Sequence, residues 1–192
     1  MSRIHVKVVR KFIPHRLLLT GAWHHLETAK ERKEGYFWDW LGAILMSALC
    51  IEAIGNTYGE VLIPDWKDFE SASPVAKLRL VATTCGIEPD FTKHPWATAR
   101  QLIRFRNRIA HAKPQQLTVE GDYTDTTYEQ VFHARPESAT EKMITADFAT
   151  QGYDAVKKII EVLSTSIDPS TLVEVEMDGW SSHASAIKDE VT

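Results

Sequence analysis

Eight consecutive residues, Arg104-Phe105-Arg106-Asn107-Arg108-Ile109-Ala110-His111, carry the side chains of this chain best suited to chemistry. A guanidinium is permanently charged and offers a fork of donors that matches phosphate oxygens. An imidazole gains and loses a proton near neutral pH. An arginine and a histidine five residues apart, with an amide between them, therefore point to proton transfer and charge stabilisation at a phosphodiester.

The residues around them predict a helix from Pro95 to about Ala112, opened by one proline and stopped by Pro114. At roughly 100° per residue, Leu102, Phe105 and Ile109 fall on one side, with Ala99, Ile103 and Ala110 beside them. Arg106 lands inside this apolar arc. Burying a guanidinium without a partner is costly, so Arg106 is expected to meet a carboxylate, another chain or a phosphate. Arg100, Arg104, Asn107 and His111 follow at spacings of four, three and four, which puts them on one polar ridge. A second helix is predicted from Phe37 to about Thr57, with Trp38, Leu41, Leu45, Ala48 and Leu49 on its apolar face. Glu52 falls on that same face. Two helices thus each carry one charge where the pattern asks for an apolar residue, and the charges are opposite. Glu52 and Arg106 are expected to pair, the carboxylate positioning the guanidinium for a ligand or simply joining the helices. Asn56, one turn beyond Glu52, reads either as an extension of this cluster or as a helix-end residue beside Gly55 and Gly59.

The 192 residues suit one domain with a good core. The net charge of −4 gives no overall sign of nucleic-acid binding. Its distribution does, because Phe91 to Val119 contains no Asp or Glu but holds Lys93, Arg100, Arg104, Arg106, Arg108 and Lys113. The two cysteines, Cys50 and Cys85, sit in apolar helical patterns and read as buried thiols of a reducing compartment. Charged residues interrupt every early apolar run, and Leu41 to Ile51 is too short to span a bilayer, so a cytoplasmic location without membrane contact is expected.

Residues 4–8 alternate as a short strand would, although a helix reaching Phe12 fits equally, and Pro14 is expected to break either. A helix is predicted from Ala22 to Lys33. Ser73 and Pro74 open another that stops at Gly86. Residues 115–143 read as a polar excursion with a possible hairpin. Thr145 caps a helix to about Ser164, Leu172 to Met177 looks strand-like, and the segment after it is polar. The expected fold is all-α: an antiparallel bundle of about four to five helices with short irregular or β-like excursions. Residues 1–35 form an N-terminal extension, 36–165 the bundle and 166–192 a tail.

Arg106-Asn107-Arg108-Ile109-Ala110-His111 resembles the Arg-polar-x-x-x-His signature of the HEPN superfamily, a group of small all-α domains common in prokaryotes. The helix bearing Glu52 before it and the helix after it fit that family's bundle over about Tyr36 to Ser164. Arg104 also satisfies the family's spacing; Arg106 matches better because Asn107 follows it directly. The resemblance implies a homodimer in which two motif helices meet near a two-fold axis. It implies a metal-independent endoribonuclease, a toxin or phage-defence effector, acting on single-stranded or looped RNA. His111 would move protons, Arg106 stabilise the phosphoryl oxygens, Asn107 orient either, Glu52 position Arg106, and Arg100, Arg104 and Arg108 hold the RNA backbone. An antitoxin or inhibitor protein is a further implied partner. No cofactor and no metal is expected, since neither an HExxH motif nor a paired-carboxylate metal motif is present. His24-His25 with Glu27 reads as surface. Two other readings stand beside this one: a non-catalytic nucleotide- or RNA-binding or interaction module of the same superfamily, and an unrelated helical protein with a core ion pair.

Overall fold

A computed structural model describes residues 4–118, 120 and 136–186. Those residues form a mostly helical bundle with a single two-stranded ribbon. The ribbon pairs β1 (Ile4–Arg10) antiparallel with β2 (Trp180–Ala186), from Ile4 opposite Ala186 to Arg10 opposite Trp180. Arg10 closes it with two bonds to the Asp178 carboxylate, at 3.1 and 2.7 Å.

The strand reading of residues 4–8 holds and β1 ends before Pro14, as expected; Pro14 then opens a new element, the first turn of α1 (Pro14–Glu31), where its missing N–H costs nothing. The helix expected from Ala22 therefore starts eight residues earlier. Nor is it peripheral to the bundle, since Ala22 and Leu26 are buried against α2 (Tyr36–Leu62). α2 is the central helix and touches every other helix, most extensively α1. By length and composition alone it could cross a bilayer, and half of its most apolar 18-residue window is buried inside the protein.

α3 (Pro74–Thr84) begins as expected, with the Ser73 hydroxyl accepting from the Ala76 N–H, and ends before Gly86, whose φ of 75° lies in the left-handed region. Between α2 and α3, Trp66 packs on Gly59 so closely that a Cβ there would lie 2.4 Å from the indole ring. α4 (Trp96–Ala110) and α5 (Ala146–Ser164) follow, the latter capped by Thr145 through the Phe148 N–H. Phe105, late in α4, meets Phe148 in the first turn of α5, while Tyr58 and Ser164 meet at the ends of α2 and α5. α4 thus runs antiparallel to both. Ile44, Ile51, Ile54, Leu78, Leu102, Ile159 and Leu163 fill the interior between these helices.

Leu172 to Met177 is not a strand. Pro169–Glu176 forms a last helix, α6, because the Asp168 carboxylate caps the Ser170 and Thr171 N–H groups and Pro169 sits at the first position. Bonds from the Ser170 and Thr171 hydroxyls and amides hold the Asp168 carboxyl well below the usual carboxylate range. The hairpin considered within 115–143 falls mostly outside the described residues, as does the chain end, 187–192.

A polar network ties α6 to the bundle. Glu176 accepts from Tyr58 Oη at 2.6 Å and lies 3.0 Å from Nε2 of the fully buried His15, while Arg16 bonds its backbone carbonyl at 2.9 Å. Burial alone would raise the Glu176 carboxyl; the bonds from His15 and Tyr58 overcome it and hold the group below its ordinary value of 4.5. Its contribution to stability is therefore complete above pH 4.5 and is lost as pH falls through the lower folded value. We expect Glu176→Gln to cost about 1–3 kcal/mol at neutral pH and Tyr58→Phe about 1 kcal/mol. Denaturant unfolding read from neutral to strongly acid pH should show an acid-sensitive component in the wild type that the Glu176→Gln protein lacks.

Candidate functional site

α4 carries two different faces. Trp96, Ala99, Leu102, Ile103 and Phe105 are buried, so the apolar arc is the one the sequence pattern predicts up to its last turn, where Ile109 is 36 % exposed and Ala110 is also exposed. Arg106 points into that arc and meets Glu52 of α2, Nη2 to Oε2, at 2.7 Å. The pair is half-buried rather than fully enclosed, with 24 % of the Arg106 side chain and 34 % of the Glu52 side chain exposed. Arg106 Nε is buried without a hydrogen-bond partner. Glu52 thus engages one nitrogen of the guanidinium, and among the described residues its other donors are uncommitted.

Asn107 and His111 lie on the opposite ridge. His111 ends the helix, its backbone N–H bonded to the Asn107 carbonyl at 3.0 Å, and both side chains are exposed. Among the described residues no hydrogen bond joins the side chains of Arg106, Asn107 and His111 to one another, and none engages the His111 ring. Arg106 and His111 are five residues apart, about 140° around a helix, so one chain does not aim both at a single point. Arg100 is half-buried and Arg104 and Arg108 are exposed on the ridge; none of them forms an ion pair among the described residues. The ridge is a line of unneutralised positive charge ending at an imidazole.

The face of α2 that holds Glu52 is not the one that packs into the core. α2 is apolar nearly all round, and its buried side holds Ile44, Ser47, Cys50, Ile51 and Ile54. Trp38 is 67 % exposed and Leu49 42 %, while Leu41 and Leu45 are half-buried. Only Ala48 of the predicted apolar face is fully buried. The result is that Trp38 and Leu49 leave apolar surface exposed on the same side of α2 as Glu52, and Ile109 of α4, one turn beyond Arg106, is exposed as well.

Asn56 is neither at a helix end nor part of that pair; α2 continues to Leu62, and Asn56 Oδ1 accepts from Nζ of the buried Lys77 at 2.9 Å. Of the histidine cluster, His24 is exposed, but His25 is half-buried and sets Nδ1 3.3 Å from Asp39 Oδ1. Burial pushes the Cys50 thiol far above its usual range, consistent with a packing role. Sequence reasoning did not find Lys142, Met143 and Phe148, which face Arg104 and Arg108 across a groove. No periodicity marks them; only the Thr145 cap signals that a helix, and hence a wall, begins there.

No family model, curated protein or solved structure matches the chain.

A half-exposed ion pair contributes at most about 1 kcal/mol. We therefore expect Glu52→Gln to change the unfolding free energy by less than about 1 kcal/mol, as measured by denaturant unfolding at neutral pH. A loss above about 3 kcal/mol would mark a buried structural pair instead.

Proposed function

We propose that the protein is a metal-independent endoribonuclease of HEPN type, active as a homodimer. The observation that carries this reading is the split on α4: Glu52 holds Arg106 on one side, while Asn107 and His111 stand exposed on a basic ridge, their side chains without a hydrogen bond among the described residues. Within one chain this is half a site. The exposed apolar side chains of Trp38, Leu49 and Ile109 supply surface that a second copy can cover. An isologous contact there sets the two α4 ends side by side, so that Arg106 of one subunit and His111 of the other share a cleft.

In that cleft the ribose 2′-oxygen attacks the adjacent phosphorus. The 2′-O–P bond forms, the P–O5′ bond breaks, one His111 takes the 2′ proton, and the other His111 gives a proton to the departing 5′-oxygen. Arg106 stabilises the charge that gathers on the non-bridging oxygens. Asn107 orients the imidazole or the phosphate, and Arg100, Arg104 and Arg108 hold the flanking backbone. No step calls for a metal ion. DNA lacks the attacking hydroxyl and is not a substrate. A cytoplasmic toxin or phage-defence effector, restrained by an antitoxin-like protein, is the setting this reading implies.

One observation favours a binding-only role: among the described residues none bonds the His111 ring to fix its tautomer. In that case RNA binds, nothing is cut, and His111→Ala leaves affinity unchanged.

We expect His111→Ala to lower the single-turnover cleavage rate by about 10²–10⁴ and Arg106→Ala by about 10²–10³, with circular dichroism and dimer mass unchanged. Full activity in either variant removes the assignment. Leu49→Glu should give a folded, inactive monomer by light scattering; a dimer with full activity would place the subunit contact elsewhere.

A further inference from the structure

Between α4 and the start of α5 lies an open groove of about 460 Å³. From α4 it takes Gln101, Arg104 and Arg108; the opposite wall is Lys142, Met143 and Phe148. Three cations converge here from segments more than thirty residues apart. Among the described residues no carboxylate lines the groove, and none of the three cations forms an ion pair. The comparable groove over α2 and α3 differs, because there Glu60 and Glu70 share the lining with Lys77. Clustered like charges repel one another unless an anion sits among them. Among the described residues the Arg108 side chain donates only to Met143 Sδ, at 3.2 Å, and a thioether is a weak acceptor that a phosphate oxygen would displace.

The bottom of the groove is apolar. Phe105 and Phe148 meet edge to face, with ring centroids 5.8 Å apart, and Phe148 is only half-buried. Aromatic rings with a polarisable sulfur beside them suit a flat heterocycle. The Gln101 amide at the rim makes no side-chain hydrogen bond among the described residues and carries both a donor and an acceptor for a base edge. Arg108 stands three residues before His111, about 4.5 Å of helix rise, so a strand lying in the groove leads to the imidazole.

We propose that this groove is a nucleotide subsite for single-stranded RNA, taking one unpaired base against Phe148 and Met143 and the adjoining phosphates on Arg104, Arg108 and Lys142. It rests on the ribonuclease reading for the identity of its ligand and adds the place where a particular nucleotide is selected. An unpaired base is required, because a base inside a duplex has no free face to offer an aromatic ring.

The test is fluorescence anisotropy of a labelled, uncleavable 2′-O-methyl RNA oligonucleotide on the full chain, across a salt series. Lys142→Glu should weaken binding by about tenfold or more and reduce the salt slope by about one. Lys158→Glu, an equal charge change on the exposed side of α5, should stay within about twofold. Phe148→Leu, which keeps an apolar side chain, should weaken binding by at least about fivefold without changing the salt slope. Equal losses in Lys142→Glu and Lys158→Glu, or unaltered binding in Phe148→Leu, overturn the subsite. Saturable binding of adenosine monophosphate as tight as that of the oligonucleotide would assign the groove to a free nucleotide and overturn the RNA assignment. Groove-dependent binding without any cleavage refutes the nuclease and leaves the groove, whereas cleavage with binding indifferent to both groove variants refutes the groove alone.

Discussion

The rotation of α4 about its own axis decides which residues reach solvent, and one contact between charges helps fix that rotation. Leu102, Ile103 and Phe105 turn one side of α4 inward. Arg106 lies among them, half-exposed, where a carboxylate partner favours this orientation of the guanidinium. Glu52 supplies it at 2.7 Å from the middle of α2. With Arg106 held inward, Arg100, Arg104, Asn107 and His111 are carried outward as a set. The pair adds little stability because it is half-exposed, and that modest energy makes its geometric consequence the more informative.

A second polar cluster does different work at the far end of the bundle. Glu176 gathers His15, Arg16 and Tyr58, which belong to α1 and α2, so the last helix is docked by hydrogen bonds as well as by the buried Val175. The two ends of the described chain, joined again in the β1–β2 ribbon, are thereby held together. This cluster centres on a largely buried carboxylate engaged by three neighbours, whereas the α4 ridge is mostly exposed and forms no ion pair among the described residues. That contrast separates the part of the molecule that holds it together from the part that is free to meet a ligand.

Much of this was legible in the sequence where local chemistry decides the outcome. Ser73 before Pro74 and Thr145 before Ala146 both cap helices as read. The contact of Glu52 with Arg106 followed from two misplaced charges of opposite sign. Other features depend on contacts that spacing cannot show. Pro14 serves a helix start as well as it serves a break, and only packing on α2 shows the helix. Val173 and Val175 alternate as a strand would, yet the Asp168 cap and Pro169 commit the segment to a helix. α2 is apolar on nearly every side, so a helical wheel could not tell the face buried by α1, α3 and α5 from the face bearing Trp38 and Leu49. The groove opposite Arg108 joins residues that no periodicity connects.

In the proposed function, Arg106 and His111 are the working parts of a cleft in which RNA is cut by its own 2′-hydroxyl. The most direct test is the chemistry of the ends left on an end-labelled single-stranded RNA incubated with the wild-type protein in EDTA. We expect cleavage that leaves a 2′,3′-cyclic phosphate on one fragment and a 5′-hydroxyl on the other. Cleavage only when a divalent metal is restored, or fragments ending in a 5′-phosphate, would contradict the proposed function.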